Sequence, residues 1–217
     1  MSKKVTYYEP KEEKLNIITH LIGLVLSVIA LALLVIYASL YGTAKHIMSF
    51  TIFGASMILL YSASTAYHYS QNPRLREKLN FIDHAAIYVL IAGTYTPFAL
   101  IVLKGWVGWT IFGVSWTLAV AGIIFKLFFI GKYNKISTAT YVLMGWVIIF
   151  ALKPLIENFP TGGLLWLLMG GLFYTIGAIL YSIKKIKYNH AIFHIFVLLG
   201  SFSHFMAVFL YMIPEKV

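Results

Sequence analysis

Seven long apolar runs, separated by short polar connections, are the feature that most constrains this chain. They lie near Leu15 to Tyr41, Ile47 to Tyr69, Asn80 to Leu103, Gly105 to Ile130, Thr138 to Ile156, Gly163 to Ile183 and His190 to Ile213. Each approaches the roughly 20 residues a helix needs to cross a bilayer. In lipid a segment must satisfy its own backbone hydrogen bonds, so runs of this length are helices. The expected fold is an all-α membrane protein, a seven-transmembrane-helix bundle. Its domain would span residues 15–213, with an amino-terminal segment 1–14 before it and a tail 214–217 after it. The first run is about twice the length of a signal-peptide core and lacks a small-residue cleavage signal, so it reads as a retained helix. The fifth run carries Lys153-Pro154, which is expected to interrupt it near its end.

Composition agrees: 60% of residues are hydrophobic and 11% charged. The formal charge of +10 does not point to nucleic acid, because the basic residues sit in short connections rather than on a soluble face. Their natural partners are anionic lipid headgroups. Lys3, Lys4, Lys11, Lys14, Arg74, Arg76, Lys78, Lys126, Lys132, Lys135, Lys184, Lys185 and Lys187 fall on one side of the bundle, thirteen of the seventeen basic residues. Lys45, Lys104, Lys153 and Lys216 fall on the other. The excess of positive charge on one side predicts a cytoplasmic amino terminus and an external carboxyl terminus. Lys126 is expected to snorkel from its helix end to the inner interface.

With no cysteine, a tightly held metal must use histidine, carboxylate or water. Ionisable residues within spans are unfavourable by about 2.5–3.5 kcal/mol for Asp, Lys or Arg at mid-bilayer, so their placement carries information. The second run ends in Ser64-Thr65-Ala66-Tyr67-His68, the third opens with Asp83-His84, and the seventh opens with His190-Ala191-Ile192-Phe193-His194. In the inferred topology all three segments lie toward the cytoplasmic leaflet. Residues four apart share a helix face, so His190 pairs with His194 and Ser64 with His68. His68, His190 and His194 would form the three-nitrogen set of a catalytic-type zinc centre, with the fourth position open to water. Asp83 would orient or deprotonate that water, and Ser64 would hydrogen-bond beside it. A single histidine at a helix end is ordinarily a satisfied polar residue, the reading given to His46 and His84. His204 lies about 15 Å further along its helix than His194, and is expected to be a buried hydrogen-bonding group. Gly93, Gly122, Gly145, Gly170 and Gly171 are expected to permit close helix contacts.

The pattern resembles the hemolysin III family, bacterial relatives of the progestin and adipoQ (adiponectin) receptors. Four segments carry the resemblance in order: Glu13-x-x-Asn16-x-x-Thr19-His20-Leu21-Ile22-Gly23; Ser64-x-x-x-His68; Asp83 through Ala92-Gly93-Thr94-Tyr95-Thr96-Pro97; and His190-x-x-x-His194 with the later His204. The resemblance implies seven helices with the amino terminus inside, opposite to G-protein-coupled receptors. It implies zinc near the cytoplasmic leaflet on His68, His190 and His194, with Ser64 and Asp83 beside it. The long soluble amino-terminal region of the animal receptors has no counterpart here, so hormone reception is not expected. Because the wider superfamily resembles alkaline ceramidases, the expected function is an intramembrane zinc-dependent hydrolase of lipid amides, or a lipid sensor, acting in membrane homeostasis in the bacterial plasma membrane. A lipid or fatty acid would lie within the bundle. The alternatives are a pore-forming cytolysin, which should show a polar stripe through the membrane, and a non-catalytic receptor or scaffold with structural zinc closed by Asp83 or His84.

Overall fold

The structure, a computed structural model, describes residues 6–129 and 134–213. Within them lie seven spans: α1 (Pro10–Tyr41), α2 (Ala44–Tyr69), α3 (Pro73–Pro97), α4 (Gly105–Phe129), a fifth made of α5 (Asn134–Gly145) and α6 (Leu152–Asn158), α7 (Thr161–Ser182) and α8 (Asn189–Tyr211). α3 runs on through a wider π-helical turn over Phe98–Val102. Residues 214–217, and with them Lys216, lie outside the described residues, as do Lys3, Lys4 and Lys132; of Lys135 only the backbone is described.

α1 shows how these helices pack. Its buried positions include Asn16, His20, Gly23, Ser27, Ala30, Leu34 and Ala38, a stripe at helical spacing made largely of small and polar residues. Leu21, Val25 and Ile29 face outward. Lipid tails are as apolar as leucine, so burying large side chains gains little and close backbone approach gains more. The same logic places Gly93 against Ser56, Gly122 against Tyr88 and Gly170 against His204, where an added Cβ would come within 2.3 Å of its neighbour in each case. Gly145 and Gly171 differ from expectation: a Cβ would meet nothing within 4 Å at Gly145, and only Trp146 at 3.6 Å at Gly171.

α1 packs on both α2 and α8, which joins the first and last spans, and α3 packs between α2 and α4. The ends that meet at one face are the start of α1, the end of α2, the start of α3, the ends of α4 and α7, and the start of α8.

Three boundaries differ from the sequence reading. α1 starts at Pro10 rather than Leu15, because proline suits the first helical turn and Glu12 and Glu13 follow where acids are favoured. α3 starts at Pro73, where the Asn72 side chain accepts hydrogen bonds from the Arg74 and Leu75 backbone N–H groups at 3.0 and 3.3 Å. The fifth span breaks earlier than Lys153-Pro154: helix ends at Gly145, and a 3-10 stretch over Val147–Ala151 follows. Pro154 falls in the first turn of α6, where its missing N–H leaves no helical bond unmade.

Candidate metal centre

The end of α2 delivers His68, and the first two turns of α8 deliver His190 and His194. All three are buried. His190 Nε2 lies 3.1 Å from both His68 Nε2 and His194 Nε2. The opposite ring nitrogens explain this arrangement. His68 Nδ1 donates to Glu13 Oε2 at 2.6 Å, and His194 Nδ1 donates to the Asn16 carbonyl at 3.3 Å. Each Nδ1 therefore carries the proton, and each Nε2 turns a lone pair toward His190. A proton on His190 Nε2 could bridge to only one of the other two nitrogens, whereas a cation between the three satisfies every lone pair at once. A tetrahedral ion with bonds of 2.0–2.1 Å holds its nitrogen ligands about 3.3 Å apart, so the three histidines fit a metal. Among the described residues, no other histidine, aspartate or glutamate joins the three at such spacing.

Two acids on the first turn of α1 fix this geometry. Glu12 Oε1 accepts the His190 backbone N–H at 3.1 Å, capping α8 from another helix. Glu13 joins His68 to Arg76. Arg76 is fully buried, and its Nη1 donates to the carbonyls of Tyr67, His68 and Ser70, each at 3.1 Å, satisfying the end of α2. Its Nε and Nη2 donate to the Thr6 carbonyl at 3.1 and 3.0 Å, and its guanidinium lies over the rings of Tyr7 and Tyr67. At the other end of the turn before α8, Tyr188 adopts left-handed backbone (φ 58°), and the Asn189 amide donates to the Tyr181 carbonyl at 2.7 Å. The turn brings His190 inward while closing the end of α7.

Tyr8 stacks on His190, ring centroids 4.5 Å apart and planes 19° apart. Burial there pushes its phenol above the ordinary range, so it stays neutral. His20 of α1 stacks on His194 at 3.5 Å and 10°, and neither nitrogen of the His20 ring has a hydrogen-bond partner among the described residues.

A cavity of about 360 Å³ opens beside the cluster. His190, His194, Asp83 and Ser64 line one end, and Leu155 and Leu164 the other. Leu164 and Tyr181, both on its wall, are 17 residues apart on α7, or about 25 Å of helix. Between them the walls are mostly aliphatic and aromatic. Ser64 Oγ is buried without a hydrogen-bond partner among the described residues. Lys126 corrects the sequence reading: it does not snorkel outward but is fully buried in the cavity wall, its ammonium without a hydrogen-bond partner among the described residues and within the field of Asp83. His84 Nδ1 donates to the Asn80 carbonyl at 2.8 Å, and His46 Nδ1 accepts from the Thr43 backbone N–H at 3.2 Å, both satisfied polar residues as expected.

The profile described as Haemolysin-III related matches residues 8–205, a stretch that includes every residue of this centre. The chain belongs to that family. It is 50% identical over 204 residues to Hemolysin-3 of Bacillus cereus, covering 94% of this chain and 93% of that one. It is also 50% identical over 201 residues to the Hemolysin-3 homolog of Bacillus subtilis (strain 168), covering 93% and 94%. More distantly, it is 27% identical over 167 residues to the human monocyte to macrophage differentiation factor, covering 74% and 69%. The seven spans and the bacterial relatives make this haemolysin-III-related chain a multi-pass protein of the cell membrane.

Sequence reasoning brought the three histidines together correctly but missed what holds them. In the sequence Arg76 reads only as a connection charge and Glu13 and His20 only as positions of a resembling segment, while Glu12 and Tyr8 carry no reading of their own. The usable signal was the acidic pair Glu12-Glu13, set in a segment otherwise rich in lysine.

Proposed function

We propose that this haemolysin-III-related protein is a zinc-dependent hydrolase of lipid amides, working within the membrane with its histidine cluster toward the cytoplasm. The observation that carries the reading is the placing of His190 and His194 on the wall of a long apolar cavity, beside a carboxylate and an unpaired hydroxyl. The excess of basic residues that the sequence assigns to the side of the cluster supports the orientation.

His68, His190 and His194 would hold the metal through Nε2, and a set of three protein ligands is characteristic of catalytic zinc. Zinc bound there supplies Lewis acidity toward a carbonyl oxygen and toward water. The chain's own residues do the remainder. Glu13 and the Asn16 carbonyl keep the Nδ1 protons of His68 and His194 and fix the ring orientations. The Asp83 carboxylate takes a proton from the attacking water at Oδ and returns it to the departing amine nitrogen, so that a C–O bond forms as the C–N bond breaks. Ser64 Oγ donates a hydrogen bond to the polar head of the lipid. Lys126 stands in the same wall as Asp83, and the apolar wall takes the acyl chain and excludes bulk water.

Stoichiometric metal analysis of the detergent-purified protein tests the centre: one zinc per chain is expected, lost in a His190→Ala/His194→Ala double variant. Turnover of a long-chain ceramide by the zinc-loaded protein, abolished in an Asp83→Asn variant that retains its zinc, tests the chemistry. A folded, unchelated protein without zinc overturns the reading. The name Hemolysin-3 of the Bacillus cereus relative favours a second reading, lysis through a pore. Conductance in planar bilayers that survives the double variant would favour it over hydrolysis.

A further inference from the structure

His204 stands in the middle of α8, 7% exposed, at a depth where an aliphatic residue would pack without the penalty of desolvating a polar ring. The fold makes room for it. α7 carries Gly170 opposite, where a Cβ would come within 2.3 Å of the imidazole. His204 Nε2 lies 3.3 Å from the Leu167 carbonyl. A carbonyl only accepts, so Nε2 carries the proton and Nδ1 the lone pair. Nδ1 is buried and has no partner among the described residues.

The neighbouring polar groups are already engaged. The Tyr61 hydroxyl donates to Ser201 Oγ at 2.7 Å, and Tyr174 and Ser201 hydroxyls are 2.8 Å apart. Among the described residues, His204 Nδ1 is therefore a buried acceptor without a partner at this depth. His204 lines the same cavity as His190 and His194, with Leu164, Leu167, Leu168 and Val197 also on the wall. It lies ten residues beyond His194, about 15 Å along the helix.

We infer that His204 Nδ1 is a second recognition point in the cavity, accepting a hydrogen bond from a hydroxyl carried part-way along an otherwise apolar lipid chain. The tautomer sets the polarity of the ligand group, which must be a donor. The aliphatic surroundings set the class of the remainder, a hydrocarbon chain. The inference rests on the lipid reading of the cavity proposed above, but not on turnover.

The test compares binding of stearate and of a stearate hydroxylated at mid-chain to the detergent-purified full-length protein, by isothermal titration. One added hydrogen bond in a buried site predicts about five-fold tighter binding of the hydroxylated lipid. His204→Leu should abolish that preference, read as the ratio of the two affinities. His204→Gln, which keeps an acceptor, should retain part of it. Equal affinities in the wild-type protein would mean that water satisfies Nδ1, and would overturn the inference. So would a preference that persists in His204→Leu. If wild-type protein binds neither lipid, the lipid reading of the cavity falls as well, which separates the two failures without relying on a variant.

Discussion

Glu13 accepts the Nδ1 proton of His68 at 2.6 Å with one carboxylate oxygen and pairs with Arg76 through the other. One acid thus fixes the tautomer of a metal-ligand candidate and ties the ends of α1, α2 and α3 together. A carboxylate behind an imidazole raises the basicity of the ligating nitrogen, and removing such a partner typically lowers metal affinity by about 10–100-fold. Glu13→Gln should therefore weaken zinc binding by that factor while leaving one zinc per chain at saturation, as read by competition with a chelator of known affinity. Unchanged affinity would show that Glu13 serves only the helix ends.

Arg76 should matter to stability more than its place in a connection suggests. It meets three carbonyls at the end of α2, the Thr6 carbonyl and Glu13, and so joins three segments of the chain at one buried guanidinium. Removing one partner of a buried ion pair costs about 3–5 kcal/mol. Arg76→Met is expected to lower the thermal midpoint of the purified protein markedly. Arg76→Lys should recover little of the loss, since an ammonium cannot replace a planar fork of donors.

The seven spans were legible because length and apolarity settle them, and the histidine cluster was legible because i, i+4 spacing and alternating topology put its members on one face. Glu12, Glu13 and Arg76 were not, since a charge near a helix end looks the same whether it faces headgroups or turns inward. His20 was hidden for the opposite reason: on α1 the inward stripe is made of small and polar residues, and one more polar residue in it carries no signal. Lys126 looked like a snorkelling lysine because its position near the end of α4 allows that, whereas the side chain turns into the cavity wall. The break in the fifth span was placed on Pro154 by rule, although proline interrupts a helix only when a preceding turn exists to be broken.

Tyr8 should govern how fast metal is exchanged from the amino-terminal face. Its ring lies flat on His190, and the chain around it is pinned by Arg76 and by the Tyr67 hydroxyl, which donates to the Thr6 carbonyl at 3.3 Å. In Tyr8→Ala the imidazole is uncovered while Glu12, Glu13 and Asn16 still position the cluster. Extraction of zinc by a chelator should speed up in Tyr8→Ala with equilibrium affinity changed far less. Tyr8→Phe, which keeps the stacked ring, should behave as wild type, and a slow Tyr8→Ala would remove the idea that this segment covers the site.

Two glycines on the helices of this bundle should respond in opposite directions to the same substitution. At Gly93 a Cβ would approach Ser56 Oγ to 2.3 Å and Ser56 Cβ to 2.7 Å, and a side chain as short as serine cannot swing clear. α2 and α3 would have to separate, and overpacking of this kind costs about 1–3 kcal/mol. At Gly145, the last residue of α5, a Cβ would meet nothing within 4 Å among the described residues. Restricting the unfolded chain there without a clash should stabilise the protein by about 0.4–1 kcal/mol. Thermal unfolding of Gly93→Ala and Gly145→Ala in one detergent would read both signs. If both destabilise, the break between α5 and α6 depends on glycine itself, and the fifth span is more tightly constrained than its open packing indicates.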